Sequence, residues 1–235
     1  MLAKVESYGL EGLNGYPVTV ETDIAPGLPN YDTVGLPDAA VKESRERVHA
    51  AIRHSGFAFP TARITVNLAP ADLKKEGSVY DLPIALSILE ASGVLKPAPR
   101  SIVVLGELAL DGAVRPISGI LPMLIDAYDK GYSVFFVPAD NAAEAAYIRG
   151  ATVYPVESLA ALVAHLRGEN AISPVEPHAF TGGTHKAAVD FSEIRGQGAA
   201  KRAAEIAVAG NHNILSINEK LFQEGKDVQI PGAAG

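Results

Sequence analysis

The sequence predicts an α/β fold, a mixed sheet covered by helices. Three observations lead there. Through residues 1–167 the spacing of apolar residues switches between every second residue and every third or fourth, which is the pattern of strands alternating with helices. Turn residues punctuate these stretches, at the APGLPN run Ala25–Asn30, at Gly56 and Gly93, at the pair Asp111-Gly112 and at Gly131. One segment, LPIALSILEAS, is apolar nearly all round and so suits a helix buried on every side.

Tyr16–Ile24 alternates with period two, placing Val18, Val20, Thr22 and Ile24 on one side of a half-buried strand. Pro37–Ser55 reads as a helix, with Pro37 in its first turn and Gly56 just past its end. Val41, Val48 and Ile52 make its inward stripe; Lys42, Glu43, Arg45, Glu46, Arg47 and Arg53 face outward. Arg63–Leu68 is a strand. Asp81 is placed to cap a helix that runs through Ser92, with Pro83 in its first turn and Gly93 closing it. Ser101–Leu110 and Ala113–Ile117 read as strands joined at Asp111-Gly112, a hairpin signal. Helix Ile120–Lys130, strand Ser133–Val137, helix Asn141–Arg149, strand Thr152–Pro155 and helix Ser158–Arg167 complete the domain. Gly168–Ala188, poor in large apolar residues and rich in Pro, Gly and Thr, reads as a linker. The expected organisation is a domain at 1–167, a linker at 168–188 and a second segment at 189–235.

With 235 residues, 48% of them hydrophobic, the chain can bury a sizeable core. No apolar run approaches the roughly 18–20 residues that span a bilayer, and the opening MLAKVESYGLEG lacks a signal-peptide core. Cysteine is absent, which excludes disulfides and thiolate metal sites. A cytoplasmic protein with no membrane partner is expected. The net charge of −7 argues against strong autonomous DNA binding but leaves room for a local basic patch.

Two clusters of polar residues stand out. Lys74-Lys75-Glu76-Gly77-Ser78 precedes the buried helix. It reads either as a contact loop for a neighbouring subunit, DNA or a partner, or as a solvated loop in which Gly77 serves backbone geometry. Lys42, Arg45, Arg47, Arg53 and Arg63 could meet phosphates. However, Pro37–His54 holds four Lys/Arg against three Asp/Glu, the balance of a salt-bridged helix face. His49, His54, His165, His178, His185 and His212 show no metal-ligand spacing, so no metal site is expected.

Beyond the linker, Ile194-Arg195-Gly196-Gln197 opens a small-residue helix, Ala199–Ala209, and a buried strand follows it. The phosphate-binding loop pattern is G-x-x-x-x-G-K-[ST]. The nearest register offers Lys220, Gly225, Lys226 and Asp227. It lacks the first glycine and the metal-binding hydroxyl, so this chain is not expected to hydrolyse ATP alone.

Four stretches carry a family resemblance: the run from LEGLNGYPVTVETDIAPGLPN through VGLPDAAVKESRERV, then NLAPADLKKEGSVYDLPIAL, LGELALDGAVRPISGILPML and FSEIRGQGAAKRAAEIAVAGNHNIL. Together they resemble the ComM/YifB family, also called magnesium-chelatase-like proteins, over most of residues 1–215. The resemblance implies an AAA+ ATPase whose full-length members use ATP and Mg, assemble as homo-oligomers and process DNA by branch migration in competence. It makes Ile194, Gly196 and Gln197 an adenine-side box, here on an incomplete or truncated AAA+ segment. It also implies an N-terminal domain similar to the Lon protease domain, a ribosomal S5 domain 2-like fold. Lon peptidases activate a Ser with a Lys. By the same resemblance the Lys position falls on Leu121 and the Ser position on Val79 or Ser78. Lys130 lies nine residues past Leu121, about 13 Å along a helix at about 1.5 Å per residue. The expectation is a non-catalytic accessory domain with no cofactor of its own. The alternatives are a Ser78-dependent Lon-like hydrolase and a direct nucleic-acid-binding module.

Overall fold

A computed structural model of the chain describes residues 2–97, 99, 101–178 and 195–210. The chain divides into two units, 1–180 and 181–235.

The first unit is built on a seven-stranded mixed sheet. Its strands are β1 (Leu2–Glu11), β2 (Asn14–Ala25), β3 (Asn30–Val34), β4 (Arg63–Ala69), β5 (Ile102–Val104), β8 (Val134–Pro138) and β9 (Thr152–Val156), in the order β3-β4-β2-β1-β5-β8-β9. A separate two-stranded piece joins β6 (Glu107–Leu108) to β7 (Val114–Arg115). β1 and β2 form a long antiparallel hairpin, and β2 pairs antiparallel with β4. The remaining neighbours, β3–β4, β1–β5, β5–β8 and β8–β9, run parallel.

Period-two alternation sets the sheet's two faces. Val5, Val18, Val20, Val66 and Leu68 are buried with Thr22, whose hydroxyl lies 2.6 Å from that of Ser87 in helix α2 (Asp81–Ala91). The intervening residues make a polar ladder in which Lys4 pairs with Glu21, Thr19 donates to Glu6 and Asn67 donates to Glu21. All eleven residues of α2 are buried, as its all-round apolar sequence requires.

Helix α1 (Ala39–His54) buries Val41, Val48 and Ile52, the expected stripe. It starts two residues later than expected because Asp38 caps it, accepting from the Val41 N–H at 2.8 Å. Asp81 is not a cap. It is the first helical residue of α2, fully buried, and Tyr80 stands at the cap position. The predicted strand Ser101–Leu110 is broken at Gly106. The φ there is +155°, and a Cβ would lie 2.8 Å from the Val114 side chain. The Gly106 N–H donates to the Val79 carbonyl, and its carbonyl accepts from the Leu82 N–H. The chain thus leaves the main sheet at the start of α2 to form the β6–β7 hairpin. β1 and β3 are strands that the spacing of the sequence does not predict.

Helix α3 is Ile120–Asp129 and α5 is Leu159–Leu166. The helix expected at Asn141–Arg149 shrinks to α4 (Ala142–Ala145) after a 3-10 turn. At its start the Asn141 side chain accepts from the Ile117 N–H and donates to the Ile117 carbonyl, both at 2.9 Å, which pins the chain there. Of the stretch read as linker, residues 168–178 run along the first unit. Val175 donates to the Val153 carbonyl on edge strand β9, His178 donates to that of Ala146, and Ile172 and Val175 pack on the core. These two apolar side chains outweigh the Pro- and Gly-rich composition around them. Among the described residues no helix is long and apolar enough to cross a membrane.

In the second unit, α6 (Gly198–Ala209) follows Gly196 and Gln197, which both adopt left-handed backbone conformations at φ +67° and +55°.

Candidate functional site

The loop between β4 and α2 sits where three elements meet, and one residue ties it down. Asp38, the cap of α1, accepts from Val41 with one carboxylate oxygen and from the Gly77 N–H with the other, at 3.1 Å. Gly77 has φ +81°, a conformation that costs an L side chain about 1–2 kcal/mol. Two further backbone bonds clamp the same place: Asp38 N–H to the Lys75 carbonyl at 2.9 Å and Lys75 N–H to the Leu36 carbonyl at 3.1 Å.

The two lysines of this loop part company. Lys74 is exposed and pairs with Glu76 at 2.6 Å. Lys75 is fully buried, and its ammonium donates to the Leu73 carbonyl at 2.7 Å and to that of Pro70. Burial pushes its pKa down, and Asp72 opposes that shift. The loop is therefore not uniformly solvated: Lys74 and Glu76 can meet a partner, whereas Lys75 holds the loop from inside.

Ser78 ends the loop and donates its hydroxyl hydrogen to Glu107 on β6. Arg115 on β7 lies 3.5 Å from the other Glu107 oxygen. Beneath them Arg47 of α1 bonds both oxygens of Asp81, at 2.6 and 3.0 Å, and also donates to the Ala40 carbonyl at 3.0 Å. The Leu108 N–H donates to the same Asp81 carboxylate at 3.2 Å. Burial raises the Asp81 pKa to about 6, although Arg47 and the Leu108 N–H pull it down. Arg47 in turn is held above its ordinary value, first by its hydrogen bond to Asp81. Arg47 was expected on a solvated face; instead it is the counter-ion of a buried acid.

Chemically, this arrangement joins α1, α2 and the β6–β7 hairpin. The bond assigned to Ser78 goes to a carboxylate. Forming an alkoxide beside a negative oxygen is unfavourable, and a carboxylate is a weak base for a hydroxyl. Leu121, at the position the resemblance assigns to Lys, is partly buried and packs on the core. Val79 is buried in that core. Glu107 is 29 residues from Ser78 in the chain, too far for a local reading of the loop to pair them.

Among the described residues no group of three His, Asp or Glu is placed to hold a metal. Ile194 lies outside the described residues. Gly196 and Gln197 turn the chain directly into α6. Lys220, Gly225, Lys226 and Asp227 also lie outside the described residues.

Comparison with known proteins bears on two parts of the chain. Sequence models of the magnesium chelatase subunit ChlI match residues 20–141 and residues 190–219. The chain is 41% identical to the uncharacterized protein YifB of Escherichia coli over 218 residues, which is 92% of this chain and 42% of that protein. It is 37% identical to the competence protein ComM of Haemophilus influenzae over 218 residues, 91% of this chain and 43% of that one. A lower similarity, 25% over 134 residues, links 54% of the chain to 16% of Lon protease 2 of Herpetosiphon aurantiacus. The chain thus spans less than half the length of the YifB and ComM proteins it matches.

Proposed function

The chain belongs to the ComM/YifB family of magnesium-chelatase-like proteins, and from that membership we propose that its first unit is a non-catalytic accessory body with a Lon-like fold. The observation that carries this reading is the fate of the Ser78 hydroxyl, which is engaged by Glu107 while an apolar side chain stands at the position assigned to a base. What remains is a scaffold, and a scaffold alone confers no activity. Its service is association: between subunits of a homo-oligomer, or between an AAA+ ring and its partner. In full-length members the ring supplies ATP and Mg chemistry and acts on DNA in the cytoplasm, and in this reading residues 190–219 belong to that ring domain. Incubation with fluorescently labelled unfolded protein, with and without Mg-ATP, tests the reading. Wild type and Ser78→Ala should leave the substrate equally intact. Cleavage by the wild type that disappears in Ser78→Ala would contradict it.

A further inference from the structure

Away from Ser78, the outer side of α1 forms one wall of a groove. Arg45, His49 and Arg53 recur at every fourth residue and make a single ridge, about 12 Å long at about 1.5 Å per residue. Tyr31 of β3 and the segment between α1 and β4, with Phe57 and Phe59, form the other wall. Two hollows of about 340 and about 470 Å³ adjoin here and share His49, Phe59 and Thr61.

Cations and rings are interleaved along this groove. Arg45 lies 5.9 Å from the centre of the Tyr31 ring, and His49 meets Phe59 edge-on at 4.5 Å. At the far end Arg167 lies 5.5 Å from the centre of the Phe57 ring, anchored on the Val94 carbonyl and near Glu169. Arg45 faces one carboxylate, Glu46, at 3.5 Å on an exposed flank, a contact of little strength. Among the described residues Arg53 makes no ion pair. Arg63, grouped with these residues by sequence, alternates with the buried Ile64 and so lies on the opposite face of the sheet. In a chain of net charge −7, this ridge is a local concentration of positive charge.

Arginines alone would suit any polyanion. Rings set between them suit a polyanion that carries planar groups, because base–aromatic stacking needs an open base face. We propose that this groove binds single-stranded nucleic acid, with Arg45 and Arg53 on phosphates and Phe59 against a base. This goes beyond the accessory-body reading and needs neither nucleotide hydrolysis nor a catalytic serine.

Fluorescence anisotropy of a short labelled oligothymidylate with the full chain, across a salt series, tests the proposal. The Arg45→Ala/Arg53→Ala variant should bind at least about tenfold more weakly at low salt, and its log–log salt slope should flatten by about 1.4, or about 0.7 for each lost phosphate contact. Phe59→Leu should weaken binding about fivefold or more, the lower end for one lost stack, with the slope unchanged. The two arginines project from the surface, so their variant should melt with the wild type and carry the test even if Phe59→Leu loosens the fold. Three results would overturn the proposal: unchanged binding by the arginine variant, equal affinity for a duplex of the same length, or equal competition by polyglutamate, which would mark an acidic-protein site.

Discussion

Arg45 and Arg47 stand two residues apart on α1 and end in opposite surroundings. The Arg47 side chain is 21% exposed and clamps a carboxylate that is 1% exposed. The Arg45 side chain is 55% exposed and faces a hollow lined by rings. The helix turns about 200° between them, at 3.6 residues per turn, so one points toward α2 and the other toward solvent. In the first place charge is used inside the molecule, where it fixes how α1, α2 and the β6–β7 hairpin meet. In the second it remains available to something outside. A sequence gives both residues the same chemistry, and their positions in the fold give them different roles.

The sharpest way to break this comparison is to remove Arg47. Arg47→Ala leaves the Asp81 carboxylate buried without its cation, and losing one partner of a buried pair costs about 3–5 kcal/mol. Urea unfolding near neutral pH should show a loss of that order; a loss below about 1 kcal/mol would place Asp81 in water and undo the buried half of the contrast.

The second test is pH dependence. The folded-state pKa of Asp81 is raised to about 6, above the unfolded value of about 3.9, so the folded state holds the proton more tightly. Its contribution to stability is complete below the unfolded pKa and is lost as pH rises through 6. Measured against Asp81→Asn, which does not titrate, wild-type stability should fall by roughly 2 kcal/mol between pH 4 and 7, because each pH unit separating the folded and unfolded pKa values is worth about 1.4 kcal/mol and part of that span lies below pH 4. A flat difference, or one that rises with pH, would reverse the assignment of burial as the dominant cause.

The neighbouring lysines repeat the contrast on a smaller scale. Lys75→Met loses two bonds from a charged donor but also removes a buried charge, so a cost of about 1–3 kcal/mol is expected. Lys74→Met removes an exposed pair and should stay within about 0.5 kcal/mol. Thermal unfolding of the two variants side by side checks the order, and equal costs would contradict it. Arg45→Ala gives the smallest expected effect on stability, within about 0.5 kcal/mol. A larger loss would mean that Arg45 supports the fold.

Much of the architecture could be read from the chain. The inward stripe of α1, the all-buried α2, the turn at Asp111-Gly112 and the later strands follow from spacing and turn chemistry that act over a few residues. β1 escaped notice because Ser7 and Gly9 dilute its apolar alternation. β3 is five residues long with one buried side chain, Tyr31, too little for a period to show. The candidate site was half legible. The loop from Lys74 to Ser78 stood out by its polarity and its place before an apolar helix. Its partners Asp38 and Glu107 did not, because each reaches it from another element and the contact exists only after folding. Glu107 was hidden further by Gly106, which breaks what reads as one continuous strand. The linker's first half misled for a similar reason: its composition is that of a loose connection, while Ile172 and Val175 find the core.

The accessory-body role requires that the Ser78 hydroxyl be held by Glu107 and lack a base. Covalent labelling by a fluorophosphonate probe, read by intact-protein mass spectrometry at neutral and alkaline pH with Ser78→Ala alongside, puts that to the proof. No adduct is expected on the wild type beyond that on Ser78→Ala. A single stoichiometric adduct mapped to Ser78 would show a working nucleophile and contradict it.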